Sequence, residues 1–273
     1  MPRIPRNFLK PRDEVSFFHL ISHTVWEAHR PFSSFEKEYF LHLLRRLTQI
    51  YLVDVISYAI MDNHFHLLVK VRPGSLLTEE EVLSRTLKLY PPGIVSSHDI
   101  NYWRAKLSDV SAFMKDLKQR FAQWYNTTHR RKGHLWSDRF KSIRIEEGKA
   151  LLAVAAYIDL NPVRAGLTRR IDGWRFTSYS ERRALSGKWL MNIADIFNGL
   201  TLKQYAELLE EAGKLDKSNA GKIEENQEPI VLHILNYKTV GIAFGGKEFL
   251  FKLLQIIPWK RNFKKIIGEL SIV

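Results

Sequence analysis

Two histidines one residue apart, His64 and His66, are the first residues here whose type and spacing suggest chemistry. They lie in HFHLLVKV (64–71), a stretch that reads as a β-strand. Strand side chains alternate between faces, so His64, His66, Leu68 and Lys70 share one face and Phe65, Leu67 and Val69 the other. The second face is apolar and should pack on helices. The first carries two imidazoles and an ammonium group, which suits an open working face. Two imidazoles at i and i+2 can reach one divalent ion, although a bare His-x-His is more often a pair of ordinary surface or hydrogen-bonded histidines.

The chain has no cysteine, so a third ligand would be His, Asn, Gln, Asp or Glu. Asn161 is a candidate through its neighbour Tyr157. The two are spaced i, i+4 at the end of EGKALLAVAAYIDL (147–160), which reads as a helix, and so share one face. Alanines 150, 153, 155 and 156 would let that helix approach a sheet closely. One helical turn could then bring an amide and a phenol to the histidine strand. Read singly, Tyr157 is a core-packing residue and Asn161 a C-cap, with Pro162 ending the helix.

The elements that must position these groups follow from the pattern. Residues 15–26 and 51–61 read as strands, and Asp62-Asn63 as the turn of an antiparallel hairpin leading into 64–71. Ser33 or Ser34 caps a helix whose apolar residues, Phe35 to Leu47, recur at i+3 and i+4. Residues 72–107 are a polar, proline-containing insertion or lid with one short helix at 78–90. A helix at 108–127, a strand at 134–145 and the helix at 147–160 follow, then an irregular stretch at 175–183. The first domain is thus expected over 1–187. Residues 188–273 form a mainly helical C-terminal extension of unassigned role, with helix in 190–212, a polar linker at 213–230, a strand candidate at 231–240 and a helix from Glu248. This order implies an α+β fold, one mainly antiparallel sheet with helices on a single face.

Composition narrows the partner. The 273 residues carry a formal charge of +13, and residues 101–183 hold 18 Lys or Arg against 8 Asp or Glu, a net of +10. Those cations alternate with Trp103, Phe113, Phe121, Trp124, Tyr125, Trp136, Phe140, Trp174 and Phe176. Cations for phosphates and rings for stacking suit nucleic acid with exposed bases. Absence of cysteine excludes disulfides, zinc fingers, thiol nucleophiles and cysteine-ligated clusters. No run reaches the ~18 apolar residues of a membrane span. Met1–Arg12 has four cations but no apolar run behind them, so no secretory signal is expected. A soluble cytoplasmic, nucleoid-associated protein is the expectation.

Three other features compete for notice. Tyr125 is a rival nucleophile, but Phe121, Trp124 and Tyr125 read better as a helical packing stripe. Residues 241–248 mimic a phosphate-binding loop, yet Glu248 replaces the Ser or Thr that would hold Mg2+. Trp259, Lys260 and Arg261 suit either an auxiliary DNA contact or a solvated terminal helix.

MDNHFHLLVK (61–70), GHLWSDRFKS (133–142) and AYIDLNPVRAG (156–166), in that order, resemble the REP-associated tyrosine transposases of the single-tyrosine HUH superfamily. The resemblance covers about residues 13–183. It implies a ferredoxin-like α+β fold with His64 and His66 on a central strand and Mg2+ or Mn2+ bound by His64, His66 and Asn161. It implies Tyr157 as nucleophile, acting on hairpin-forming single-stranded DNA through a covalent 5′-phosphotyrosine. Arg139, Lys141, Arg144, Arg164 and Lys70 are the candidate DNA contacts. The segment 74–107 is longer than in compact members of that family, and nothing beyond about 185 has a counterpart there. Two other classes remain open: a DNA-binding regulator without turnover, and a metal-dependent hydrolase of small phosphoesters. The oligomeric state, monomer or homodimer, is open as well.

Overall fold

The computed structural model describes residues 14–26, 30–184, 186–218, 243, 244 and 246. Strands β1 (Ser16–His23), β2 (Val53–Ile60), β3 (His64–Val71) and β4 (Lys141–Ile145) form an antiparallel sheet in the order β2-β3-β1-β4. A two-residue β5 (Ala243–Phe244) lies parallel to β4 at the edge. The helices are α1 (Ser34–Thr48), α2 (Glu79–Leu87), α3 (Pro92–Ser96), α4 (Ile100–Leu107), α5 (Val110–Thr128), α6 (Lys149–Arg164), α7 (Ser178–Arg183), α8 (Ile193–Ile196) and α9 (Leu202–Ser218).

Strand alternation sends the sheet's side chains into two separate cores. Phe18, Leu20, Phe65, Leu67 and Val69 pack with Phe40, Leu44 and Leu47 of α1 and with Phe113, Leu117 and Phe121 of α5. Leu68, Ala59, Ile143 and Ile145 pack with Ala155, Ala156 and Ile158 of α6 and with Tyr205 and Leu209 of α9. The α+β class and the antiparallel sheet are those the pattern implies. The α1–α5 layer is the helical face expected from the apolar side of β3, and α6 with α9 adds a layer on the histidine side. A bulge between Val55 and Ser57 lets Ile56 and Ser57 of β2 both serve that second layer.

Local chemistry explains the boundaries. Helix α1 starts on a capping box: the Ser33 hydroxyl accepts from the Phe35 amide at 3.2 Å, and the Ser33 amide donates to Glu36 at 2.7 Å. Helix α6 does not stop before Pro162 but runs one turn further to Arg164. The Asn161 side-chain amide donates to the Tyr157 carbonyl at 3.0 Å, and Gly166, at φ +70°, ends the helix. So close to the C-terminus, Pro162 removes only a single ladder donor. Strand β4 is shorter than the expected 134–145: Gly133 turns at φ +96°, and Leu135 to Phe140 fold as a loop bridged to Thr24 through Trp136. The stretch 175–183 is not irregular, because Thr177 caps α7.

The segment 72–107 folds as α2, α3 and α4 and contributes Leu77, Val82, Val95 and Trp103 to the α1–α5 core. It leaves the sheet after Val71, at the end of β3 away from His64. Gly74 lies so close to α4 that a Cβ there would stand 2.4 Å from the Arg104 carbonyl oxygen. In the C-terminal region, Leu190, Ile193 and Tyr205 are buried, and α9 continues through 213–218, where a linker was expected. The strand candidate 231–240, the helix from Glu248 and Trp259–Arg261 lie outside the described residues, as do all but Ala243, Phe244 and Gly246 of the 241–248 loop.

Candidate active site

The β2–β3 turn sets the start of the histidine strand. Lys37, buried on α1, donates to Asp62 at 2.6 Å, and the Asp62 and Asn63 carbonyls accept from the amides of Phe32 and Thr24. From that fixed turn, registry places His64 beside His23 of β1 and His66 beside Ile21. His19 and His23 belong to the same face, so four imidazoles gather there. Ring centroids lie 4.7 Å apart for His23–His64, 5.1 Å for His64–His66 and 5.1 Å for His19–His66. Instead of being an open working face, this side of the sheet is covered by α6. His66 is only 5% exposed and His19 fully buried, while His64 is half-buried and His23 exposed. Accessibility thus rises along one edge, from His66 outward to His23.

Burial decides the charge state. It pushes His19 down to about 3 and His66 well below its usual value, the latter helped by the neighbouring imidazoles. His64 is lowered to about 4, by burial first and His23 second, with Asp62 opposing. At neutral pH these imidazoles are neutral, the form that ligates metals. His64 Nδ1 donates to the Asn63 side-chain oxygen at 2.7 Å, which leaves its Nε2 lone pair available.

Helix α6 brings Tyr157 to this face. Its ring stands edge-on to His66 at 6.0 Å and to His19 at 6.1 Å, and the Arg164 guanidinium lies 5.1 Å from the same ring. Asn161 lies one turn beyond Tyr157, and its Nδ2 bond to the Tyr157 carbonyl leaves the amide oxygen as the atom that could ligate an ion. The helix is held by Asp159, which faces away from Tyr157 because two residues span more than half a turn. The Asp159 carboxylate accepts from Ser178 at 2.7 Å, the Tyr179 amide at 2.9 Å, Tyr205 at 2.8 Å and Ser57 at 3.4 Å. That single side chain joins α6 to β2, α7 and α9.

His64, His66, Tyr157 and Arg164 are thus linked from ring to ring, with Asn161 one turn along α6 from Tyr157; the other sequence candidates spread out. Lys141 is exposed on the histidine face, in the cross-strand row of His66 and Ile21. Arg144 lies on the opposite face, paired in register with Phe18, where burial lowers its pKa. Lys70 shares the histidine face but lies six residues from His64, roughly 20 Å along the strand. Arg139 is exposed in the loop before β4, its amide donating to Asp138 at 2.6 Å. Tyr125 is 6% exposed, with its hydroxyl donating to the Pro31 carbonyl at 3.3 Å. Most of the aromatic residues interleaved with the cations are core residues rather than a stacking platform: Trp103, Phe113 and Phe121 lie on the buried faces of α4 and α5, and Phe140 and Phe176 are buried in the loops before β4 and α7.

Sequence reading missed His19, His23 and Asp159. The signal for the first two was present: HLISH puts histidines at i and i+4, an even spacing that keeps both on one strand face. Asp159 carried no signal, since its four partners come from distant segments. Among the described residues no three His, Asp or Glu side chains gather closely enough to hold an ion; the candidate set depends on the Asn161 amide. No helix among them is long and apolar enough to cross a membrane.

No protein-family model matches the chain, and no curated protein does. Among solved structures, it is similar to a REP-associated tyrosine transposase bound to a REP hairpin, with 14% identity and a TM-score of 0.45, over 68% of this chain and 92% of that one.

Proposed function

We propose that this chain is a metal-dependent single-stranded DNA endonuclease and strand transferase that cleaves and rejoins hairpin or repeat DNA through a covalent 5′-phosphotyrosine on Tyr157. The observation that carries the reading is Tyr157 held edge-on to His66, with Asn161 one turn further along α6. Neutral His64 and His66, each with Nδ1 engaged, together with the Asn161 oxygen, would hold Mg2+ or Mn2+ without cancelling its charge. When bound, such an ion polarises the scissile phosphate and stabilises charge developing on its oxygens.

In the proposed reaction, the Tyr157 hydroxyl oxygen bonds to phosphorus as the bond to the 3′ oxygen breaks. The phenol loses its proton and the departing 3′ oxygen gains one, so the exchange is proton-neutral. One phosphodiester replaces another, and rejoining by a 3′-hydroxyl reverses the step without ATP. In this reading Arg164, whose guanidinium lies 5.1 Å from the Tyr157 ring, pairs with the phosphate, and Lys141 meets the strand beyond it.

The test is incubation of the full chain with single-stranded hairpin DNA and Mn2+, followed by denaturing electrophoresis. Wild type should give a covalent protein–DNA adduct, and Tyr157→Phe none. An equal adduct from Tyr157→Phe removes the assignment. Salt-sensitive DNA binding by wild type with no cleavage in any divalent metal assigns the chain instead as a non-catalytic DNA-binding regulator.

A further inference from the structure

His19 Nε2 lies 2.9 Å from His66 Nδ1, with His19 fully buried and His66 5% exposed. Two neutral imidazoles at that distance share one proton, and the sharing has two forms. In one, His19 Nε2–H donates to His66 Nδ1; the His66 proton is then on Nε2, which has no lone pair to offer. In the other, His66 Nδ1–H donates to His19 Nε2, and His66 presents the Nε2 lone pair. Resting on the metal-site reading above, we infer that His19 is a positioning residue: it accepts the Nδ1 proton of His66 and so fixes the tautomer whose Nε2 can ligate an ion.

The neighbouring ligand shows the same device. His64 Nδ1 donates to the Asn63 side-chain oxygen, so both candidate ligands use Nδ1 for a protein partner and keep Nε2 for the ion. The partners differ in kind. Ligating histidines usually lean on a carboxylate, a backbone carbonyl or water; here one leans on an amide and the other on a second imidazole, both neutral. A neutral partner orients the ring without adding negative charge, which leaves the ion's charge for the phosphate. The same hydrogen bond engages the His19 Nε2 lone pair and so keeps it out of the ligand set.

The experiment uses the full chain without DNA and reads Mn2+ affinity by calorimetry and by loss of the free-ion electron paramagnetic resonance signal. His66→Leu, which offers no ligating atom, should abolish binding, which locates the ion. His19→Phe keeps the ring shape but offers no acceptor, and should weaken Mn2+ binding by about 10–100-fold. His19→Gln places an amide oxygen where Nε2 stood and should retain most of the affinity. Circular dichroism checks the fold of each variant. Nitrogen-15 spectra of the wild-type imidazoles with Mg2+ should show His66 protonated at Nδ1, a readout that needs no variant to fold. Absence of Mn2+ binding by wild type, or binding unaltered in His66→Leu, would overturn the metal-site reading and this inference with it. Wild-type binding that His66→Leu abolishes but a folded His19→Phe leaves unchanged, or His66 protonated at Nε2 with the ion present, would overturn the role of His19 alone.

Discussion

Lowering the pH from 7.0 to 5.5 should strip a large share of the stability of the metal-free protein, and the reason lies in three histidines. His19, His66 and His64 are neutral in the fold, with pKa values of about 3, well below normal and about 4. In the unfolded chain each titrates near its ordinary value of about 6.5. Between the two values the unfolded state binds more protons, so stability falls as pH falls through 6.5 and levels off only below the folded values. A histidine that stays neutral in the fold loses a little over 1 kcal/mol between pH 7.0 and 5.5, roughly independent of how far its folded pKa is depressed. The two fully enclosed rings then account for about 2 kcal/mol, and all three for up to about 4. Against a total of about 5–15 kcal/mol, that is a substantial fraction.

Two carboxyls could confuse the measurement, and neither does. Burial would raise Glu36, but its bonds from Ser33 and His129 outweigh that and hold it below normal, so its stabilisation is lost only at lower pH. Asp159 is raised by burial, partly offset by Arg182 and Ser178. Its folded form takes up a proton first as pH falls, which opposes the trend by at most one proton. Urea unfolding in chelator at the two pH values should show the midpoint falling by about 1–2 M. His19→Gln should reduce the pH dependence by about 1 kcal/mol. A midpoint that does not move between pH 7.0 and 5.5 would refute the claim that these imidazoles are held neutral by burial.

Removing the carboxylate that holds α6 should cost more than any surface change. In Asp159→Ala the Tyr179 amide and the hydroxyls of Ser178 and Tyr205 lose a buried acceptor, at about 1–3 kcal/mol each before the hydroxyls turn elsewhere; a folded-state loss under 1 kcal/mol by urea titration would contradict the network. Asp159→Asn keeps one acceptor oxygen and should be milder in the same assay. Gly74→Ala forces a Cβ against the α4 backbone and should cost about 1–3 kcal/mol by thermal unfolding, while DNA cleavage by the folded fraction stays at wild-type level, because the clash is at the sheet end away from His64.

The parts of the fold legible in the sequence are those set by local rules. The period-two pattern of 64–71 gave β3 and its two faces, and the i, i+3, i+4 spacing gave α1 and α5. The capping serine gave the start of α1 to within a residue. Pro162 misled because its usual effect assumes a helix interior, whereas α6 has only one turn left to run. The aromatic residues among the cations misled for a different reason: composition counts rings without knowing which face they occupy, and α5 turns Phe113, Phe121 and Tyr125 inward. The His64, His66, Tyr157 and Asn161 set was legible because its members come in two short motifs. The His19–His66 bond and the Asp159 network were not, since each joins segments 47 or more residues apart or draws on three elements at once.

The arrangement also suits a conflict that the proposed sheet-mounted metal site would face. An imidazole must be dry enough to stay neutral and well oriented, yet an ion and a phosphate must reach it. The strand solves this by grading burial along its length. His66, 5% exposed, is fixed by His19 under α6; His64, half-buried, is fixed by Asn63 at the turn; His23 beyond it is exposed. Among the described residues exposure therefore rises toward His64 and His23, while Tyr157, with the Arg164 guanidinium against its ring, stands edge-on to the buried His66 and His19. In the proposed reaction Arg164 would pair with the phosphate beside the phenol. The position of that phenol is set by the anchoring of α6 through Asp159 on its far side. The scaffold and the proposed chemistry are thus coupled through one helix, whose back is polar and fixed and whose front carries the Tyr157 hydroxyl.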